Sequence, residues 1–150
     1  MGTPITPYGS GDAKKAQVAQ MFDNIAHRYD FLNHFFSLGI DKLWRRKAVR
    51  MLLSDGPVEI LDVATGTADF AIEAAGKAPE LKVIGVDISA GMLDIGRTKV
   101  ARAGQDGRVE LVLGDGESLP FEDGRFDAFT VAFGVRNFEN LTAGLKEMQR

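Results

Sequence analysis

The sequence contains no cysteine, which excludes disulfide bonds, zinc sites built on thiolates and a cysteine nucleophile. It contains only two histidines, and no grouping of histidine with acids predicts a metal site. No apolar run approaches the roughly 20 residues that a membrane span needs. The N-terminal stretch MGTPITPYGSGDAKK lacks the apolar core of a signal peptide. These absences favour a cytoplasmic protein.

Positive charge is not in excess either, since 18 lysines and arginines face 21 acids and leave a net charge of −3. Affinity for nucleic acid rests on many contacts between basic side chains and phosphate, so we expect no nucleic-acid partner. One segment departs from this average, because Lys42, Arg46 and Arg50 recur every four residues. This basic stripe is either a solvated helix face or a peripheral contact with the anionic inner face of a membrane.

Length and composition predict one folded domain after a short lead-in. A chain of 150 residues can bury a sizeable core as one domain. Residues 1–11 hold two prolines and three glycines and are expected to be a flexible lead-in to a domain over 12–150. A first helix is predicted from Asp12 as its N-cap. A second helix is predicted from Asp41, with an apolar face formed by Trp44, Ala48, Met51 and Leu52.

After Pro57 the sequence alternates between short apolar runs and helical stretches. The apolar runs predict strands at 58–63, 82–87, 108–113 and 126–133. Helices are predicted between the first three strands, at 69–77 and at 90–103, with Ser89 as the cap of the second. This alternation predicts an α/β fold with a doubly wound parallel sheet. Ligands bind beyond the carboxyl ends of the strands in such sheets, so the loops that follow the strands are the candidates for function.

The first of these loops, ATGTAD at 64–69, is made of small residues and runs straight into a helix. Small residues let a ligand approach the backbone, and the first turn of a helix offers unpaired N–H donors. A nicotinamide-dependent dehydrogenase would need G-x-G-x-x-G for the pyrophosphate, and only Gly66 of that pattern is present. The loop therefore either receives a ligand without a pyrophosphate or is a tight turn with no ligand.

Two acids follow the next two strands. Asp87 lies 21 positions after Gly66, where an acid in this topology accepts hydrogen bonds from ribose hydroxyls. Asp87 is alternatively the N-cap of the next helix, although Ser89 can serve as that cap. Asp115 is placed to accept a hydrogen bond from the exocyclic amine of adenine, or else is a turn residue. A nucleoside site without a phosphate loop predicts S-adenosylmethionine as the cofactor, with its methionine end at Thr67 and Asp69. Asp69 is alternatively only an acid in the first turn of a helix.

Five segments carry a resemblance to a known family. They are MFDNIAHRYDFLNHFFSLGIDKLWRR (21–46), LDVATGTADFAIEAA (61–75), VIGVDISAGMLDIGR (83–97), GDGESLPFEDGRFD (114–127) and AFGVRNFENLTAGLKEMQR (132–150). Over roughly residues 18–150 the chain resembles the ubiquinone/menaquinone biosynthesis C-methyltransferases, which are class I S-adenosylmethionine-dependent methyltransferases. The Gly-Thr-Ala-Asp form of the first loop resembles the demethylmenaquinone enzymes more than the ubiquinone ones.

The resemblance implies a Rossmann-like methyltransferase sheet with an N-terminal helical cap and a reduced prenylated naphthoquinone as the methyl acceptor. The family's chain continues past the segment that matches LKEMQR (145–150) with three further strands. The sheet is therefore expected to be truncated after its fourth strand, which becomes an apolar edge. Mapped by position, the resemblance implies cofactor contacts at Gly66, Thr67, Asp87, Asp115, Gly116 and Ala132.

The reaction calls for a base and for a donor that stabilises negative charge on the acceptor. The helical segment that should cover the cofactor contains the candidates His27, Tyr29 and Asp30, with Asn33 nearby. His27, with an ordinary pKa of about 6.5, is a reasonable base at neutral pH, or else it merely packs or faces solvent. Arg136 either stabilises the developing oxyanion or holds its loop through an ion pair.

An aromatic stretch follows these candidates. Its apolar residues either line an entrance for the isoprenoid tail or belong to an ordinary core; they are Phe31, Leu32, Phe35, Phe36 and Leu38. Two other functions stay open at this point. The chain is a methyltransferase for another small lipophilic acceptor, or a module that binds S-adenosylmethionine or a quinone without catalysis.

Overall fold

The computed structural model describes residues 13–37 and 39–150, apart from the side chains of residues 34–36. Two helices come first, α1 over Lys14–Ser37 and α2 over Ile40–Leu53. The elements that follow are β1 (Glu59–Val63), α3 (Asp69–Lys77), β2 (Lys82–Asp87), α4 (Ala90–Arg102), β3 (Val109–Leu113), β4 (Ala128–Val131), a 3-10 helix (Phe133–Asn137) and α5 (Leu141–Gln149). The predicted alternation of strands and helices is confirmed. The predicted lead-in, the Asp12 cap, Leu38 and the side chains of Phe35 and Phe36 lie outside the described residues.

The four strands form one parallel sheet in the order β3-β2-β1-β4. β1 pairs with β2 on one side and with β4 on the other, so the winding reverses next to β1. This is the doubly wound arrangement that the sequence predicts, and it places a ligand crevice above the carboxyl end of β1. Within the described part of the chain β4 lies at the edge of the sheet, where Phe129 is 43% exposed.

Side chains that alternate along β1 reach two cores on opposite faces of the sheet. Ile60 packs in a core with buried residues of α2, α3 and α4. Leu61 and Val63 pack in the other core, together with Met148 of α5. Burying one such aliphatic side chain contributes about 1.5–3 kcal/mol. Helices therefore pack on both faces of the sheet, and the loops at the carboxyl ends of the strands are the place for a ligand.

The helix caps agree with the sequence at α4 but not at α2. Ser89 caps α4 as predicted, because its Oγ accepts a hydrogen bond from the N–H of Met92 at 3.1 Å. The N-cap of α2 is Gly39, in the left-handed conformation. Asp41 lies in the first turn instead, where its Oδ1 accepts a hydrogen bond from the Oγ of Ser37 at 2.7 Å. The predicted Asp41 cap is wrong because glycine makes the sharp entry into the helix.

The buried face of α2 also differs from the prediction. Val49 is buried, and Leu52 and Leu53 pack partly buried against the same core. Trp44 and Met51 are instead 65% and 67% exposed. The prediction is confirmed for Leu52 and wrong for Trp44, Ala48 and Met51, because α2 carries two apolar stripes and the one with Val49 packs on the core. No helix within residues 13–37 and 39–150 has the length and hydrophobicity needed to cross a bilayer.

The last predicted strand is shorter than expected. β4 ends at Val131 rather than at residue 133. The backbone leaves the extended conformation at Ala132, with φ −90° and ψ −128°. The residues FGVRN then form the 3-10 helix. The turn at Ala132 brings this segment back over the end of the sheet.

Candidate functional site

A cavity of about 970 Å³ lies at the carboxyl ends of the strands, where the topology places ligand sites. Its volume is within the roughly 300–1,000 Å³ of small-molecule sites. Residues of α1 and α2 line one wall, and the loops after the four strands line the other. Every predicted site residue except His27 is part of this lining: Tyr29, Asp30, Gly66, Thr67, Asp87, Asp115, Gly116, Ala132 and Arg136.

The structure does not bring His27 to the other candidates. His27 is exposed on α1 and is not part of the cavity lining. Tyr29 does line the cavity, and its ring packs edge-on against Phe22 with 6.0 Å between the centroids. Asn33 lines the cavity as well. The acid–base candidates on α1 that line the cavity are therefore Tyr29 and Asp30, and Asn33 adds a neutral amide beside them.

The loop after β1 has an unusual backbone. Ala64, Gly66 and Ala68 all have positive φ, at 55°, 58° and 66°. This conformation costs an alanine about 1–2 kcal/mol. The methyl group of Ala68 is fully buried, and this burial stabilises the fold by about 0.8 kcal/mol. The gain offsets part of the backbone strain and explains why alanine is tolerated at a position whose φ favours glycine. Strain of this kind concentrates at functional sites, so the loop geometry supports a ligand role.

Asp87 ties this loop to the end of β2. Its Oδ2 accepts a hydrogen bond from the N–H of Gly66 at 2.8 Å, and its Oδ1 accepts one from the N–H of Ser89 at 2.9 Å. Burial raises the pKa of Asp87, while the backbone N–H donors of Ser89 and Gly66 oppose that rise. A carboxylate oxygen can accept more than one hydrogen bond, so Asp87 keeps acceptor capacity toward the cavity that it lines.

Asp62 is a cavity residue that the sequence prediction missed. It lies within β1 and is 3% exposed. Its Oδ2 accepts a hydrogen bond from Thr65 Oγ1 and its Oδ1 accepts one from Thr130 Oγ1, both at 2.7 Å. Burial raises the pKa of Asp62 to about 6, and the nearby Asp87 charge adds to the rise. The sequence signal was present, because an acid interrupts the apolar run of ILDV.

Asp115 lies after β3 and already holds a cation. Its Oδ2 is 2.6 Å from the Nζ of Lys15 in α1, and its Oδ1 accepts a hydrogen bond from the N–H of Glu117 at 2.9 Å. Gly116 follows, and a Cβ there would lie 2.8 Å from Cγ1 of Val63. The backbone at Gly116 therefore packs directly on β1, which leaves no space for a side chain on that side.

The segment after β4 closes the same edge of the cavity. A Cβ at Gly134 would overlap the Cβ of Ala64, so this segment packs on the loop after β1. The guanidinium of Arg136 is 5.8 Å from the ring centroid of Phe133. Arg136 is exposed and makes no ion pair with the described residues. Within the described residues, the structure therefore gives no support to the alternative that Arg136 holds its loop through an ion pair.

Helix α1 crosses the site and contacts three loops in turn. Near its start, Lys15 pairs with Asp115 after β3. In its middle, Asp23 accepts hydrogen bonds from Ser89 Oγ and from the N–H of Gly91 after β2. The third contact lies toward its end, where Oδ1 of Asp30 accepts a hydrogen bond from Thr67 Oγ1 at 2.6 Å. These three α1 contacts confirm that the N-terminal helix covers the strand ends.

Lys99 of α4 is a second residue that the sequence prediction missed. Its Nζ donates hydrogen bonds to both members of the third contact, Asp30 and Thr67.

The lining fits the nucleoside cofactor that the sequence predicts. Asp87 and Asp115 stand at neighbouring strand ends and present carboxylate acceptors to the cavity, as the hydroxyl and amine donors of adenosine require. Ile88 and Met92 add apolar surface to the same lining. Gly66 and Thr67 supply small residues at the strained loop, where a polar ligand end can approach the backbone.

Comparison with known proteins identifies the family of the chain. The model of the ubiE/COQ5 methyltransferase family matches residues 10–150. Demethylmenaquinone methyltransferase of Bacteroides fragilis is 53% identical over 146 residues, which is 97% of this chain and 60% of that protein. Demethylmenaquinone methyltransferase of Porphyromonas gingivalis is 50% identical over 147 residues, which is 97% of this chain and 60% of that protein. Ubiquinone/menaquinone biosynthesis C-methyltransferase UbiE of Geotalea daltonii is 45% identical over 138 residues, 91% of this chain and 59% of that protein.

Solved structures support the fold. The [4+2]-cyclase SpnF superposes with a TM-score of 0.74 at 24% identity, over 89% of this chain and 54% of that chain. A putative S-adenosyl-L-methionine-dependent methyltransferase from Methanococcus maripaludis gives a TM-score of 0.67 at 21% identity, over 95% of this chain and 62% of that chain. These likenesses confirm the Rossmann-like α/β fold. The chain spans about 60% of the length of the curated relatives that it matches.

Proposed function

Because the chain belongs to the ubiE/COQ5 methyltransferase family, we propose that it carries the S-adenosylmethionine site of an enzyme that C-methylates a reduced prenylated naphthoquinone. The reaction is the conversion of a demethylmenaquinol to a menaquinol. The names of the relatives at 50% and 53% identity support this acceptor over a ubiquinone precursor. The observation that carries the proposal is the cavity where two strand-end acids, the strained loop and the Arg136 segment meet.

Each predicted cofactor residue has a role that its surroundings support. Asp87 accepts hydrogen bonds from the ribose hydroxyls, since its carboxylate lines the cavity at the end of β2. Asp115 accepts one from the exocyclic amine of adenine with the acceptor capacity that its carboxylate keeps beside the Lys15 ammonium. The remaining four residues form the backbone surface against which the cofactor lies: Gly66, Thr67, Gly116 and Ala132.

When bound, S-adenosylmethionine supplies a methyl group on a positively charged sulfur, which is already an activated leaving group. The protein must then orient the acceptor for in-line approach and exclude water, and orientation alone is worth up to about 7–11 kcal/mol. Loss of a hydroxyl proton makes the adjacent ring carbon of a naphthoquinol a stronger nucleophile. A base and a charge-stabilising donor next to that hydroxyl therefore favour the reaction.

Tyr29 and Arg136 are the proposed groups at the acceptor. Arg136 lines the cavity with an unpaired guanidinium, as judged within the described residues, and can stabilise the acceptor oxyanion. The hydroxyl of Tyr29 has no hydrogen-bond partner in the described chain and also lines the cavity. Asp30 is engaged at both carboxylate oxygens by Thr67 and Lys99. We therefore propose Asp30 as a residue that positions its neighbours rather than as the base.

The test is methyl transfer from labelled S-adenosylmethionine to a reduced demethylmenaquinone in detergent micelles, with the protein at its natural length. We expect label in the quinone ring and none when the acceptor is supplied oxidised. Parallel reactions with a ubiquinone precursor and a sterol separate the naphthoquinol from other lipophilic acceptors. Binding of the cofactor without methylation of any acceptor would support a non-catalytic module, and no binding of the cofactor would contradict the whole proposal.

We also infer a peripheral contact between α2 and the anionic cytoplasmic face of a membrane, where a prenylated acceptor resides. Ile40, Leu43, Trp44 and Met51 form an exposed apolar stripe on α2, each of them 51–67% exposed. Ile40 and Trp44 also line the main cavity, so the stripe is continuous with its mouth. A helix that shows an apolar face beside basic residues is typical of interfacial binding.

Positive charge flanks the apolar stripe. Arg46 and Arg50 of α2 and Lys77 of α3 line a second cavity of about 320 Å³. Glu73 is the acid in that lining, and its Oε1 lies 3.7 Å from Nε of Arg46. Three cations against one acid favour an anionic headgroup, and each basic residue near such a surface adds about 1 kcal/mol.

Flotation with lipid vesicles tests this contact. We expect the protein to float with vesicles of phosphatidylcholine and phosphatidylglycerol, and much less with phosphatidylcholine alone. The double variant Arg46→Glu, Arg50→Glu should lose the preference for anionic vesicles, and Leu43→Ser with Trp44→Ser should lose binding altogether. Lys82→Glu, at the start of β2, is the control for a charge change elsewhere. Equal flotation of all variants would contradict the assignment of α2.

A further inference from the structure

Lys99 of α4 joins side chains from three other parts of the fold. Its Nζ donates to Oδ2 of Asp30 in α1 at 2.7 Å and to Oγ1 of Thr67 in the loop after β1 at 3.1 Å. It also donates to Oδ1 of Asp69 at the start of α3. We name Asp30, Thr67, Asp69 and Lys99 the Lys99 cluster. Within it, the cap helix and the strained loop share one ammonium group.

Lys99 lies next to the residues that line the cavity and is not part of the lining itself. Asp30, Thr67 and Asp69 all line the cavity, whereas Lys99 does not. The side chain of Lys99 is 25% exposed and Thr67 is buried. We therefore expect Lys99 to act on a bound ligand through the three residues that it holds.

The Lys99 cluster contains two carboxylates and one ammonium, and Arg45 of α2 adds a second cation from outside the cluster. Asp30 is engaged by Thr67 at Oδ1 and by Lys99 at Oδ2. Asp69 is engaged by Lys99 at Oδ1 and by NH1 of Arg45 at Oδ2, the latter at 3.1 Å. All four carboxylate oxygens thus face a protein donor. Without the ammonium, two carboxylates from different helices would stand on either side of Thr67 with no cation between them, and their repulsion would favour separation of the helices.

From this geometry we propose that Lys99 is a positioning residue for the cofactor. It holds Asp30 against Thr67 and so fixes the end of α1 over the loop that receives the methionine end. The proposal rests on the proposed function, because it takes S-adenosylmethionine as the ligand of that loop. The end of α1 stays fixed to the loop after β1 only while the ammonium of Lys99 is present.

The first test compares Lys99→Met with Lys99→Arg, which keeps the charge, and with Lys82→Met, which removes an exposed lysine at the start of β2. We expect Lys99→Met to weaken S-adenosylmethionine binding in isothermal titration by about 10-fold, a coupling common within a shared ion-pair network. Lys99→Arg should recover most of that loss, and Lys82→Met should bind like the parent protein. In the absence of ligand, backbone amides at the end of α1 should exchange hydrogen faster in Lys99→Met than in the parent.

A double-mutant cycle with Asp30→Asn tests whether Lys99 acts through α1. Asp30→Asn should weaken binding on its own, and Lys99→Met should add little in that background. Parent-like affinity in Lys99→Met, or effects of the two changes that multiply, would overturn the proposal. If Lys99→Met does not fold, parent-like affinity and parent-like exchange in Asp30→Asn would overturn it instead. Failure of the parent to bind the cofactor would contradict the proposed function, whereas the exchange of α1 still tests the cluster.

Discussion

The N–H of Gly66 donates a hydrogen bond to Oδ2 of Asp87, 21 residues further along the chain, at 2.8 Å. The same carboxylate accepts a hydrogen bond from Ser89 through its other oxygen. One buried side chain therefore fixes the loop after β1 relative to the end of β2, and it is also the proposed acceptor for the ribose hydroxyls. Loop shape and cofactor affinity should respond together to changes at Asp87.

Asp87→Asn tests this dual role. An amide has one acceptor oxygen, so it cannot accept from Gly66 and Ser89 and also serve two hydroxyls. Hydrogen bonds to charged groups contribute about 1.5–3 kcal/mol, so we expect S-adenosylmethionine binding to weaken about 10- to 100-fold in isothermal titration. Asp94→Asn is the matched control, since Asp94 is an exposed acid on α4 that pairs with Arg97. Equal affinity in both variants would remove Asp87 from the site.

Asp62 should make stability depend on pH. Its pKa is raised to about 6 by burial, from about 3.9 for an exposed aspartate. The unfolded chain releases this proton before the folded protein does, so stability falls as the pH rises from about 4 to about 6 and then levels off. The difference of about two pKa units corresponds to about 3 kcal/mol.

Asp62→Asn removes this titration. Relative to the parent, the free energy of unfolding of Asp62→Asn should rise by about 3 kcal/mol between about pH 4 and pH 7. Urea unfolding at several pH values across that range measures it. A difference between parent and variant that does not change with pH would show that Asp62 has an ordinary pKa.

Gly85→Ala should destabilise the sheet beneath the cavity. A methyl group there would lie 2.8 Å from both Cδ2 of Leu111 and Oγ1 of Thr65. Thr65 cannot move without breaking its hydrogen bond to Asp62. Overpacking of this kind costs about 1–3 kcal/mol, measurable by urea unfolding. Gly107→Ala is the control, because a Cβ there meets nothing within 4 Å, and similar losses in both variants would contradict the packing argument.

Arg136→Met should separate catalysis from cofactor binding. The guanidinium is proposed to stabilise the acceptor oxyanion, and loss of one such donor lowers kcat about 10²- to 10³-fold. S-adenosylmethionine affinity should stay at the level of the parent protein. Single-turnover methyl transfer and isothermal titration measure the two effects. Arg102→Met, at the exposed end of α4, serves as the control. A loss confined to cofactor affinity would assign Arg136 to the cofactor instead.

Features that depend on local sequence could be predicted from it. The bounds of α3 and the Ser89 cap of α4 follow from short-range signals, since an acid or a serine before an apolar period marks the start of a helix. Asp87 and Asp115 could be placed at one edge because parallel strands end on the same side of the sheet. The cavity lining contains both of them.

Features that depend on distant neighbours could not be predicted. Both stripes of α2 are apolar, and the choice between Val49 and Trp44 as the buried side depends on how α2 meets the sheet. Lys99 resembles a solvent-facing lysine in the sequence, because its partners Asp30 and Asp69 lie 69 and 30 positions away. The sequence offers His27 as a base by residue type alone, but the rotation of α1 about its axis decides which of its residues face the cavity.

The three α1 contacts have a consequence for protein engineering. Lys15, Asp23 and Asp30 pair with Asp115, Ser89 and Thr67, which lie in three different loops, so the helix and the loops form a matched set. A chimera that takes its N-terminal helix from one family member and its sheet from another would retain these pairs only if the partners are exchanged together. Grafting residues 14–37 along with the loops that they contact is therefore the smallest transplant that carries a complete cap from one scaffold to the next.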